Sequence, residues 1–222
     1  MRNIKKRNEK SLINHFIEVL KKDILNKRKR KKRLSFVLTG GSSPTKLYKT
    51  LAKAEINWSN VDLFWGDERF VSKRSKYSNY KLVYDLLIKK IKISNNNLFS
   101  FKTNNIGIEK SALKYENDIK RYFNKKRIRF DIFLLGMGND GHIASIFPYS
   151  DELKQKFLIK PIFRKDFKRL TFGLNIINNS NKIFLWLNTN KKKLIFNKLK
   201  NKGKKIPVNN LDKKKLFCFS IK

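Results

Sequence analysis

The chain has 222 residues and 40% apolar composition, enough for one domain with a proper core. Its one cysteine, Cys218, excludes an internal disulfide framework. No apolar run is long enough to span a bilayer, and the polar, basic start from Met1 to Lys10 does not read as a signal peptide, so a cytoplasmic protein without a membrane partner is expected. The charge is extreme, with 54 Lys and Arg against 17 Asp and Glu, a formal +37. Such a balance is the usual footprint of nucleic-acid binding. Here, however, lysines recur almost everywhere, and the chain is crowded with Asn, Ile and Phe, which A/T-rich codons also favour. The surplus therefore reads as base-biased composition on a solvated surface, with no specific nucleic-acid partner, although its field would draw in a small anion.

Residues 9–25 carry Ile13, Phe16, Ile17, Leu20 and Ile24 at helical spacing, with His15 off the stripe. The basic run 27–33 should close that helix before a first buried strand, Leu34 to Leu38. Thr39-Gly40-Gly41-Ser42-Ser43-Pro44 follows, with Ser43 as the expected cap of the next helix. A glycine turn into a helix start suits phosphate, because amides point outward and the backbone approaches closely. A plain strand-to-helix turn has the same pattern, and the missing G-K-[ST] excludes the Walker type.

Val61 to Trp65 reads as a second strand, ending in a loop, Gly66-Asp67-Glu68-Arg69, that is either salt-bridged or part of a site. Ser78-Asn79 can cap a helix bearing Val83, Leu86, Leu87 and Ile91; Leu98 to Phe101 is a short strand, and Ile108 to Tyr122 an amphipathic helix. Phe130 to Leu135 is an apolar run, hence a strand buried on both faces. It ends in Gly136-Met137-Gly138-Asn139-Asp140-Gly141-His142, placing one of only two histidines beyond a strand's carboxyl end, where open α/β sheets bind ligands. Gly136, Gly138 and Gly141 spell G-x-G-x-x-G, but no second strand ending in an acidic residue follows, against a dinucleotide site. Beyond Pro148, residues 151–161 suggest a short helix and loop. Leu170, Phe172, Leu174 and Ile176 alternate like a strand, and Ile183 to Leu187 and Leu216 to Ile221 read as strands around a helix near Leu194 and Leu199. Strands alternating with helices throughout 1–222 predict a single, mostly parallel α/β domain.

Three strand-end motifs, GGSSP, GDER followed by SNY, and GMGNDGHIASIFP, resemble those of the 6-phosphogluconolactonases, in a wider group that includes glucosamine-6-phosphate deaminase. The likeness runs from about Leu34 to Lys191. It implies a Rossmann-like fold and hydrolysis of 6-phosphogluconolactone, a sugar-phosphate lactone, without metal or cofactor. It implies that Gly40, Gly41 and Ser42 hold the phosphate. Arg169 of Arg169-Leu170-Thr171 and a lysine at Lys191, or its neighbour Lys192, would complete that site as cations. Asp67, Arg69, Asp140 and His142 fall at the family's central site. The chain departs from the family pattern at Ser75, Tyr77, Phe167-Lys168 and Asn188.

The residues support the same chemistry. A histidine, ordinarily titrating near pH ~6.5, can take a proton from water and return it to a leaving ring oxygen. Asp140 would orient His142, and Arg69 would either stabilise an oxyanion or pair with Asp67 or Glu68. Two histidines and one distant cysteine offer no metal cluster. Deaminases of the group continue this loop as F-N-E-P and typically carry tyrosine where Arg69 stands. Ser145-Ile146-Phe147-Pro148 therefore favours the lactonase. The alternatives are that deaminase or a degenerate, basic nucleic-acid-binding member.

Overall fold

The solid apolar runs of the sequence become the middle of one sheet. In the computed structural model, which describes residues 1–222, the order is β1 (Arg2–Lys6), α1 (Glu9–Lys29), β2 (Leu34–Leu38), α2 (Thr45–Leu51), β3 (Val61–Trp65) and β4 (Asp67–Arg69). Next come α3 (Asn79–Leu86), β5 (Leu98–Phe99), α4 (Ile108–Tyr122), β6 (Ile132–Leu135) and β7 (Ile159–Phe163). The chain ends with β8 (Lys168–Phe172), α5 (Leu174–Asn179), β9 (Lys182–Leu187), α6 (Asn190–Leu199) and β10 (Leu216–Ile221). Seven strands pair in parallel in the order β1-β10-β9-β6-β2-β3-β5. This is the mostly parallel, Rossmann-like arrangement expected of the chain. A smaller antiparallel sheet, β4-β8-β7, stands beside it. No helix is long and apolar enough to cross a membrane.

Every residue of β2, β3 and β6 is buried, as parallel strands covered on both faces require. Aromatic edges interlock across the core: Phe16 of α1 meets Phe184 and Trp186 of β9, and Phe130 meets Phe133 and Phe172. At the amino ends of β2 and β6, Ser35 and Asp131 exchange bonds. The Ser35 amide donates to the Asp131 carboxylate at 3.0 Å, and the Asp131 amide to Ser35 Oγ at 3.0 Å. Lys27 closes the pair at 2.5 Å. That buried lock fixes the register of the two strands whose opposite ends carry the site loops.

Several expectations need correction. α1 runs on to Lys29, its last turn basic as the helix dipole favours. Ser43 is not a cap: α2 begins at Thr45 without a side-chain cap, because a turn closed by Thr45 N–H to Ser42 O intervenes. The Ser43 carbonyl instead accepts from Trp186 Nε1. Asp67–Arg69 is not loop but strand, paired with β8. Within 151–161, residues 159–161 belong to β7, an edge strand where the missing amide of Pro161 is tolerated. The strand at Leu170 stops at Phe172, and Leu174 and Ile176 lie in α5.

Candidate active site

From β2 the chain proceeds to β3 and β5 on one side, and from β6 to β9 and β10 on the other. The carboxyl ends of β2 and β6 therefore flank a topological switch point, the usual ligand crevice of such sheets. A cavity of about 200 Å³ opens there. Its walls include Thr39 to Ser43 after β2, Gly136 to Gly138 and His142 after β6, Asp67 and Arg69 of β4, Arg169 of β8, and Lys192 of α6.

The two loops are pinned at their roots. The buried Tyr48 hydroxyl accepts from the Thr39 amide and donates to its carbonyl, at 3.1 and 2.6 Å, and the Gly136 amide donates to Thr39 Oγ1 at 3.3 Å. Gly41 has φ +81°, a conformation costly with a side chain. α2 is only two turns long, so the cavity's pull on anions comes less from a helix dipole than from its cations.

In the second loop Asp140 Oδ1 sits 2.7 Å from His142 Nδ1 and accepts from the His142 amide at 3.1 Å. A Cβ on Gly138 would overlap both the imidazole and this carboxylate, so only glycine lets them meet. Burial raises the Asp140 carboxyl, but the hydrogen bonds from the His142 ring and amide outweigh it and hold it at about 2. A carboxylate can only accept, so Nδ1 carries the proton and the neutral ring keeps its lone pair on Nε2. The other face of the ring packs on Phe147, centroids 4.9 Å apart. Ala144, in the cavity wall, has φ +48°, backbone strain of the kind that gathers at functional sites.

Period-two alternation in β4 separates three adjacent charges. Asp67 and Arg69 face the cavity, whereas Glu68 turns the other way, into the start of α3. Glu68 Oε1 accepts from the amides of Asn79 and Arg69, and Oε2 from the Tyr80 amide and Ser78 Oγ. Burial pushes Glu68 up to about 7, against the pull of those amides. Asp67 accepts from Ser145 Oγ at 2.8 Å. Arg69 pairs with neither Asp67 nor Glu68; its Nη1 donates to Tyr77 O at 3.0 Å and to Asn79 Oδ1 at 3.2 Å.

Arg169 is 8% exposed, its Nη2 held by Asp166 and its Nε buried without a partner. Lys192 Nζ donates to Met137 O at 2.6 Å and Asn139 Oδ1 at 3.0 Å. Burial lowers its ammonium from the ordinary value, Asp140 opposing. Lys191 is exposed and outside the cavity wall. Thr189 caps α6 at the Lys192 amide, which turns Lys192 back over the loop and points its neighbour about 100° away. The other eight residues singled out from the sequence come together: seven line the cavity and Asp140 stands behind His142. Asn79, which holds Arg69 and the Asp67 carbonyl and lines the wall, was not among them. Its sequence signals are its place beside the Ser78 cap and in the SNY that follows GDER. No group of three or more His, Cys, Asp and Glu side chains is arranged to hold a metal ion.

Fold and cavity define a doubly wound α/β protein with a cationic, anion-receptive site at its switch point. Residues 7–218 match the family of glucosamine-6-phosphate isomerases/6-phosphogluconolactonase, and the chain belongs to that family. It is 34% identical over 169 residues to a 6-phosphogluconolactonase of a Nostoc species, covering 74% of this chain and 70% of that one. With the 6-phosphogluconolactonase of a Synechocystis species it shares 33% identity over 153 residues, 67% of this chain and 64% of the relative. The crystal structure of 6-phosphogluconolactonase from Thermotoga maritima superposes with a TM-score of 0.85 over 99% of both chains at 24% identity, a likeness of fold.

Proposed function

We propose that this protein hydrolyses 6-phosphogluconolactone to 6-phosphogluconate, with His142 as general base. The observation that carries the reading is the Asp140–His142 pair at 2.7 Å on a cavity whose walls include Arg69, Arg169, Lys192 and a Gly-Gly-Ser turn, with Asp67 as a carboxylate in the wall. The phosphate lies against Gly40, Gly41 and Ser42 and draws on Arg169, whose buried Nε has no protein partner, and on Lys192. Nε2 of His142 takes a proton from water as the water oxygen attacks the lactone carbonyl. The carbonyl oxygen becomes an oxyanion beside Arg69, which has no carboxylate within salt-bridge reach. When the tetrahedral intermediate collapses, the bond to the ring oxygen breaks and the imidazolium returns its proton there. Asp140 balances the imidazolium charge meanwhile. The steps need only these side chains and water.

The deaminases of the same family carry, in the loop after the matching histidine, a glutamate that serves ring opening. Ser145 to Pro148 supplies no carboxylate, and Ser145 is committed to Asp67 and Thr171. The phosphate assignment is tested with Arg169→Ala. KM for the phosphorylated lactone should rise while gluconolactone lacking phosphate is hydrolysed as before. Equal losses on both substrates would refute it.

A further inference from the structure

Arg69 and Arg169 are directly opposite one another in the antiparallel β4–β8 pair, and both line the cavity. Like charges in that position repel, so something must hold them. Their supports come from different loops. Arg69 is held by the carbonyl of Tyr77, in the segment before α3. Arg169 is paired with Asp166 and lies near two aromatic rings, its guanidinium carbon 5.5 Å from the Phe147 centroid and 5.8 Å from that of Phe167, in the turn between β7 and β8. The rings of Tyr77 and Phe167 then meet each other, centroids 5.1 Å apart and planes at 49°. The supports of the two arginines are thus joined through one aromatic contact at the rim, between side chains that lie outside the cavity wall.

We propose that the Tyr77–Phe167 contact is a clasp that sets the spacing of the two guanidiniums, so that both engage one bound sugar phosphate. Both are positioning residues: neither ring carries a charge or moves a proton in the reaction. The inference rests on the cavity being a sugar-phosphate site. Its signature is a loss of anion affinity through Arg169, accompanied by a smaller fall in kcat through Arg69.

The test uses Tyr77→Leu, Phe167→Leu and the double variant, which keep apolar bulk and remove the ring pair, alongside Tyr77→Phe and Phe167→Tyr. Calorimetry with inorganic phosphate gives affinity, and steady-state hydrolysis of 6-phosphogluconolactone gives KM and kcat. Each leucine variant should weaken phosphate binding and raise KM by roughly 3- to 10-fold, with a smaller fall in kcat as Arg69 shifts from the oxyanion. The double variant should be no weaker than the worse single, since either change opens the same clasp, and the two conservative variants should match wild type. Unchanged affinity, additive losses, or a fall in kcat with KM unmoved would each overturn the clasp. A wild-type protein that binds no phosphate would also overturn it. One that binds phosphate but does not hydrolyse the lactone defeats the proposed reaction alone, and the calorimetric arm still decides the clasp.

Discussion

Asp140→Asn separates charge balance from tautomer control at His142. In serine-protease triads the same change costs roughly 10⁴ in kcat, because the amide inverts the histidine tautomer. Here one oxygen, Oδ1, serves both the Nδ1 proton and the His142 amide, at 2.7 and 3.1 Å. The amide N–H pins an acceptor in that place, so the asparagine keeps its oxygen, not its NH₂, against the ring. The tautomer survives, and what disappears is the carboxylate charge opposite the imidazolium. Charged hydrogen bonds contribute about 1.5–3 kcal/mol against about 0.5–1.5 for neutral ones, so the difference is about 1–1.5 kcal/mol, or roughly a 5- to 15-fold lower kcat. The Asp140 side chain is half exposed, which favours the lower end. Asp140→Ala loses orientation as well and should fall further. Acid release from the lactone, corrected for spontaneous hydrolysis, gives kcat for each. A thousand-fold loss in the asparagine variant, or identical losses in both, would refute this geometry.

Glu68→Gln places an amide NH₂ against two of the four donors around that buried carboxylate. At about 1–3 kcal/mol for buried polar groups left unpaired, the melting temperature should drop by roughly 2–12 °C, as followed by circular dichroism. The Asp140 carboxyl is depressed to about 2, so the stability it contributes is present above the ordinary carboxylate value and is lost only as pH falls toward that figure. Removing Asp140 should therefore leave the pH dependence of unfolding unchanged at and above neutrality. Burial pushes the Cys218 thiol up to about 12, and a thiol reagent should label it only after denaturation; rapid labelling of the native protein would contradict its burial.

The strands that carry the site were legible because each is a short apolar run with nothing else to become: Leu34 to Leu38, Val61 to Trp65 and Ile183 to Leu187 all lie within strands. β1 was not, since Ile4 is its one apolar residue and its partner β10 lies at the far end of the chain. β7 hid behind Pro161, a residue that argues against a strand except at an edge. The segments bearing Gly40 to Ser42, Asp67, Arg69, Asp140 and His142 announced themselves by glycine and charge at strand ends, although Asp67 and Arg69 belong to the strand β4. The role of Asn79, the choice of Lys192 over Lys191 and the Asp166 partner of Arg169 depend on which loops meet, which local pattern does not encode.

Acid release from 6-phosphogluconolactone by the wild type and by His142→Ala measures whether His142 activates water for lactone hydrolysis. The wild type should exceed spontaneous hydrolysis, and the variant should lose roughly 10²–10⁴ in kcat, the usual worth of a general base. An unchanged kcat in His142→Ala, or ammonia released from glucosamine-6-phosphate in place of acid from the lactone, would contradict that role.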